Sequence, residues 1–163
     1  MENKLTKLLS NLDLQNYCKE LKINLVSIVS KNELCKLKPK TGCYIINLQD
    51  AGGNGTHWVC FIIFENIAVY FDPFGIIPPT NVIRFCKRIG KKKLIYSSDQ
   101  LQHIDSIYCG WFCLYFLYYL TKNKSKHKSV LLNQHNAIYS EKEEQNDLIL
   151  KENISQIFRQ KIN

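Results

Sequence analysis

The stretch HWVCFIIFENIAVYF, residues 57–71, decides the fold. It contains two short runs, His57–Phe64 and Ile67–Phe71, dominated by β-branched and aromatic side chains, with Glu65-Asn66 between them. Runs of that length and composition read as buried strands, and a two-residue link reads as a hairpin turn. The second run ends at Asp72-Pro73-Phe74-Gly75, followed by Pro78 and Pro79. Upstream, AGGNGT (51–56) is a loop and CYIINL (43–48) a third buried strand. Pro39 and Gly42 mark a turn before it, and Ser30–Leu37 reads as irregular.

Downstream, Asn81–Ile89 reads as a short basic helix closed by Gly90, Lys93–Tyr96 as a strand, and Ser97–Tyr108 as a polar connection. Residues 109–120, CGWFCLYFLYYL, are apolar on every side of a helical wheel and too long for a typical strand, which predicts a buried central helix beginning at Cys109. At the amino end, Leu5, Leu8, Leu9 and Leu12 have helical spacing. Asp13 is a candidate N-cap for a further turn or two reaching about Leu21, so helices are expected within 2–21. At the other end, Ser140 and Glu143 have capping-box spacing. Leu150, Ile154, Ile157 and Phe158 fall on one face of a helix expected over 140–161. The expected class is α+β: an antiparallel or mixed central sheet flanked by helices, in a single domain spanning 1–163 with its core in 42–120.

Composition narrows the function. Hydrophobic residues make up 45% and charged residues 22%, the balance of a folded domain rather than a disordered chain. The longest apolar run is far shorter than a membrane span, and the charged MENKLTKLLSNLD start argues against a secretory signal. Seven cysteines, none in a C-x-x-C pair, signal neither a zinc ribbon nor a disulfide framework, so no metal is expected and a reducing intracellular compartment fits. The net charge is +8, yet the two segments 84–93 and 122–128 hold ten of the 22 lysines and arginines and no acid. A local basic patch of this kind is either a solvated face or a site for a polyanion. Arg84, Lys87, Arg88, Lys91, Lys92 and Lys93 are the candidate DNA contacts.

Three residues carry candidate chemistry. In the hairpin, the start of one strand lies beside the end of the other, which makes His57 and Asp72 neighbours. A carboxylate there can accept the imidazole N–H and stabilise an imidazolium. Cys109 opens the buried helix, where oriented N–H groups favour a thiolate, as does an adjacent histidine. Together they compose a Cys–His–Asp nucleophile system. Each has an ordinary structural reading as well: a strand-end histidine, a turn aspartate, and a small buried hydrophobe, the role assigned to Cys60, Cys86 and Cys113. The signal is the order and setting of all three.

The string His57-Trp58, then Tyr70-Phe71-Asp72-Pro73-Phe74-Gly75, then Gln102-x6-Cys109-Gly110-x-Phe112-Cys113 with Phe116-Leu117 resembles the adenovirus maturation proteases, a group allied to the SUMO and ubiquitin-like-protein proteases. The resemblance covers about residues 42–120, with the strongest likeness to the polinton and virophage members. It implies Cys109 as nucleophile, His57 as general base, Asp72 as the group that orients His57, and Gln102 as an oxyanion-hole donor beside the Cys109 N–H. Gln100 and His103 are the competitors for Gln102's place. It also implies that Trp58 walls a narrow channel for small residues, with Gly53, Gly55 and Gly110 giving a substrate backbone close approach. A core tryptophan and a flexible glycine turn are the plain alternatives. The implied activity is that of a thiol endopeptidase, a hydrolase of viral capsid or core precursors at Gly-Gly-type motifs during virion maturation. It would be a monomer acting in the infected cell and virion, without membrane attachment. No cofactor is required for the chemistry, although DNA or a viral peptide could activate it. Rival expectations are a deubiquitinase or deSUMOylase acting on host conjugates, an acetyltransferase, and a non-catalytic DNA-binding virion protein.

Overall fold

The computed structural model describes residues 5, 7–55, 57–65, 67–88, 90, 93–123 and 127–160. Its centre is a five-stranded sheet in chain order: β1 (Leu25–Ser30), β2 (Gly42–Asn47), β3 (Trp58–Ile63), β4 (Ile67–Phe71) and β5 (Lys93–Ile95). The hairpin forms as the sequence predicts, with Cys60 opposite Phe71 and Ile63 opposite Ala68. β2 is antiparallel to β3, whereas β1 and β5 join the two edges in parallel, so the sheet is mixed. Among the described residues no helix is long and apolar enough to cross a membrane.

The continuous apolar character of β2, β3 and β4 has a direct cause: both sheet faces are covered. One face packs Cys43, Ile45, Trp58, Cys60, Val69 and Phe71 against α3 (Cys109–Lys122), with α1 (Asn11–Glu20) and α5 (Glu143–Gln160) beyond it. The other packs Tyr44, Val59, Phe61 and Tyr70 against α2 (Thr80–Lys87) and a 3-10 helix, Lys31–Lys36. α3 is buried nearly all round, as its composition requires. Aromatic contacts tie the layers: Phe71 lies over Phe116 at 4.4 Å, and Phe85 of α2 meets Tyr44 edge-on at 5.2 Å.

Four expectations change. Of the amino-terminal leucines, Leu8 and Leu9 are non-helical, whereas Leu12 lies in α1, which begins at Asn11; residues 1–4 and 6 lie outside the described residues. The carbonyls of Lys7 and Leu9 accept indole N–H groups from Trp111 and Trp58 instead. Asp13 is not the N-cap. Ser10 is, and Asp13 is its capping-box partner. Ser30–Leu37 is more regular than expected, because Glu33 caps the 3-10 helix through the Ser30 N–H. The last helix starts at Glu143 rather than 140, because the Ser140 hydroxyl accepts the Lys142 N–H in a preceding turn. β1 and α4 (Lys128–Asn136) have no counterpart in the sequence reading. The far end of the hairpin turn, Asn66, and residue 161 lie outside the described residues, as do Thr56 and Ile89.

Candidate active site

The turn after β4 is built by its own residues. Asp72 Oδ1 accepts the Phe74 N–H at 2.8 Å, and the Gly75 N–H donates to the Asp72 carbonyl at 2.9 Å. Gly75 has φ +68, and a Cβ there would sit 2.5 Å from the Ser98 carbonyl oxygen, so only glycine closes this turn. The turn lays the Phe74 ring over the His57 ring at 4.5 Å.

His57 stands just ahead of β3, where the hairpin brings it to Asp72. Its Nε2 is 2.8 Å from Asp72 Oδ1; the aspartate side chain is fully buried and the imidazole 11% exposed. The Cys109 side chain is near enough to interact with the imidazole and favour its charged form. With Nε2 facing Asp72, Nδ1 is the nitrogen left for the sulfur. Burial opposes a charge on this ring, but the hydrogen bond to Asp72, the interaction with Cys109 and the Asp72 charge outweigh it, and the His57 pKa rises to about 9. The site therefore favours the imidazolium. Tyr70 lies beside the same carboxylate; burial first, then the Asp72 charge, pushes its phenol upward and keeps it neutral.

Cys109 is the first residue of α3 and is buried. The other buried thiols differ from it in setting. Burial pushes Cys18 and Cys43 up to about 12, and Cys60 and Cys113 upward as well. They lie in the core facing α3, and Cys113 Sγ reaches the Trp58 carbonyl at 3.4 Å.

Gln102 is buried, whereas Gln100 is exposed and His103 half-exposed. The Gln102 Nε2 donates to the Ser106 carbonyl at 2.7 Å, three residues ahead of Cys109. That amide nitrogen carries two hydrogens, so one remains for another acceptor. The main-chain N–H groups of Leu101 and Gln102 donate to the Pro73 carbonyl at 2.8 and 2.9 Å. The loop bearing Gln102 is thus tied directly to the turn bearing Asp72. From behind, α5 fixes the same loop: Asn146 Nδ2 donates to the Leu101 carbonyl at 2.9 Å, and Ser106 Oγ donates to Asp147 at 2.7 Å.

A groove of 510 Å³ runs from Cys109 along Trp58, the 51–55 glycine loop, the β1 edge at Ile28–Ser30, and Leu8–Asn11. Trp58 and Gly55 both line it, and Gly55 has φ +75. Gly53 also lines it, and a Cβ there would run into the Gln49 side chain. Gly110 lies one residue beyond Cys109, close under Leu9 and Trp58. The sequence reading missed Phe74, Ser106 and the Leu8–Asn11 wall. The first could have been found from the Asp-Pro-Phe-Gly turn, which must fold back on His57. The others depend on long-range packing.

The basic candidates are less uniform. Arg84, Lys87 and Lys93 are exposed, while Arg88 donates to the Leu34 carbonyl at 2.6 Å and the Cys35 carbonyl at 3.1 Å, capping the 3-10 helix. Lys91 and Lys92 lie outside the described residues. Among the described residues no three histidine, cysteine or carboxylate side chains gather as a metal site.

The mixed five-stranded sheet and its buried helix are similar in fold to a solved protease. The solved structures similar to this chain include the ASFV pS273R protease, at 16% identity and a TM-score of 0.60, and its selenomethionine form, at 15% and 0.57. Each match covers 89% of this chain and 67% of the other. No family model matches the sequence, and no curated protein matches it.

Proposed function

We propose that the protein is a viral cysteine endopeptidase of the adenovirus maturation type, from a polinton- or virophage-like element. It cleaves capsid or core precursors after small Gly-Gly-type motifs during virion assembly. One observation carries the reading: a buried carboxylate holds His57 through Nε2 at 2.8 Å, and Cys109, the residue that opens α3, interacts with the same ring. The fold shared with a viral protease supports it.

The chemistry follows from this arrangement. The Cys109 sulfur attacks the scissile carbonyl carbon, and the developing oxyanion takes hydrogen bonds from the Cys109 N–H and the Gln102 amide. A preorganised donor of this kind is worth roughly 3–4 kcal/mol to the transition state. The His57 imidazolium gives its Nδ1 proton to the leaving amine as the C–N bond breaks, which leaves an acyl-enzyme. His57, now neutral, takes a proton from water as the water attacks the thioester. Collapse releases the acid and restores the Cys109 thiolate beside the His57 imidazolium. Asp72 keeps the tautomer and stabilises the imidazolium throughout. Trp58 narrows the groove beside Cys109, which favours glycine next to the cleaved bond.

The test is hydrolysis of a fluorogenic Leu-Xaa-Gly-Gly peptide, with and without duplex DNA and the virus's own capsid protein. Wild type cleaves and Cys109→Ala does not, while both melt alike. Equal cleavage by the two proteins overturns the mechanism.

A further inference from the structure

Two tryptophans flank the candidate pair, and both are turned to the same stretch of chain. Trp58 follows His57, and its indole N–H donates to the Leu9 carbonyl at 3.0 Å. Trp111 lies in the first turn of the Cys109 helix, and its indole N–H donates to the Lys7 carbonyl at 3.3 Å. Between these anchors, Leu9 is buried against Gly110: a Cβ on that glycine would meet Leu9 Cβ at 3.2 Å and Trp58 Cδ1 at 3.4 Å. Both ends of the stretch are fixed. Leu5 is buried in the core, and Ser10 caps α1 in a reciprocal box with Asp13, whose carboxylate also holds Lys7 at 2.7 Å. Tyr17 on α1 closes over the Trp111 ring at 4.7 Å.

The stretch therefore touches both halves of the site. His57 arrives on the sheet and Cys109 on the helix. The link between them through residues 7–9 consists of one hydrogen bond to each element and one side chain wedged at the seam. The leucine spacing would support a helix here, yet a helix would claim the same two carbonyls. The indoles hold the chain out of it. The stretch also lines the groove that ends at Cys109, through Leu8, Leu9, Ser10 and Asn11.

Resting on the cysteine-peptidase reading, we propose that residues 7–10 form a strap that sets the distance between Cys109 and His57. Leu9 and Trp111 are its positioning residues. Trp111 does not line the groove, so its effect reaches the chemistry only through alignment. Small shifts at a reacting pair are costly: a misplacement of about 1 Å costs on the order of 100-fold in rate.

The experiment uses the full chain and iodoacetamide, with each alkylated cysteine located by peptide mass mapping. Cys35, the exposed free thiol among those described, serves as the internal reference. In wild type at pH 6.5, Cys109 is alkylated much faster than Cys35. In Trp111→Phe and Leu9→Ala the Cys109 rate at pH 6.5 falls about tenfold. At pH 9.5, where thiols ionise without help, it changes less than twofold. Peptide hydrolysis by Trp111→Phe loses kcat while KM holds. Leu12→Ser, on the exposed side of α1 and away from the groove, changes none of these. Trp111→Phe keeps a ring in the core, and both variants are assayed well below their own melting temperatures. Wild-type reactivity retained by both variants overturns the strap and leaves the peptidase reading standing. A wild-type Cys109 no faster than Cys35 overturns the peptidase reading, and the strap falls with it.

Discussion

At the scale of single residues, Asp72 has two tasks on one oxygen. Oδ1 accepts from both His57 and the Phe74 N–H, so the same atom orients the base and closes the turn that covers it. Asp72→Asn keeps an oxygen for the Phe74 N–H and loses the charge. Activity is expected to fall on the order of 10- to 1,000-fold without vanishing, and kcat/KM against pH checks it. The sign of the pH effect follows from His57. Its pKa is raised above the ordinary 6.5 to about 9, so the imidazolium's stabilisation is complete below about pH 6.5 and disappears as pH rises through 9. The alkaline limb of the wild-type profile is expected near 9, and in Asp72→Asn it moves toward neutrality. An unmoved limb would make Asp72 a turn residue only. The places of His57, Asp72 and Cys109 in the fold were legible because a hairpin and a helix start fix them from local sequence. The burial of Gln102 beside an exposed Gln100 was not, because α5 holds that part of the loop.

At the scale of elements, the hairpin and the buried helix could be read because their composition admits few alternatives. β1 and α4 could not. β1, KINLVSIVS with its neighbours, has mixed polarity because it is an edge strand half-covered along its length. α4 has a weak apolar stripe, and its defining residue is a histidine in the core. His135 is fully buried among Phe71, Tyr115, Phe116, Tyr119 and Tyr139, with Nδ1 2.9 Å from Asn136 Oδ1. Burial lowers its pKa to about 4 against only partial opposition from Asn136. A depressed histidine gives full stability above about pH 6.5 and loses it as pH falls toward 4, because the unfolded chain binds the proton first. His135→Phe is expected to remove much of this acid sensitivity. Thermal melts between pH 7 and 4.5 check it, with the wild-type midpoint falling more steeply than the variant's. Parallel curves would assign the acid response to other groups.

At the scale of the whole molecule, charge is segregated. Among the described residues, the groove is lined by Glu33 and Asp50 and by no lysine or arginine. The α2 side presents Arg84 and Lys87, and Arg88 binds the 3-10 helix, which brings Lys36 and the following Lys38 near the same side. The sequence segment 84–93 is therefore joined by lysines from another part of the chain, an addition no linear reading could make. For this surface we expect weak, sequence-independent DNA binding that falls with salt. Reversing Arg84, Lys87 and Lys93 to Glu should weaken affinity and reduce the salt slope by up to about 0.9 per lost phosphate contact. Fluorescence anisotropy across a salt series measures both. An unchanged slope would make the patch a solvated face.

The sheet separates two cores that share no side chains, one toward α3 and one toward α2. Distant changes with no common neighbours add in free energy. Away from Glu33 and Tyr70, the α2 side can therefore change by mutation, altering what that surface adheres to, without disturbing the α3-side packing around Cys109. A lineage carrying this fold can drift in what its α2 surface meets while the packing that places His57, Asp72 and Cys109 stays fixed.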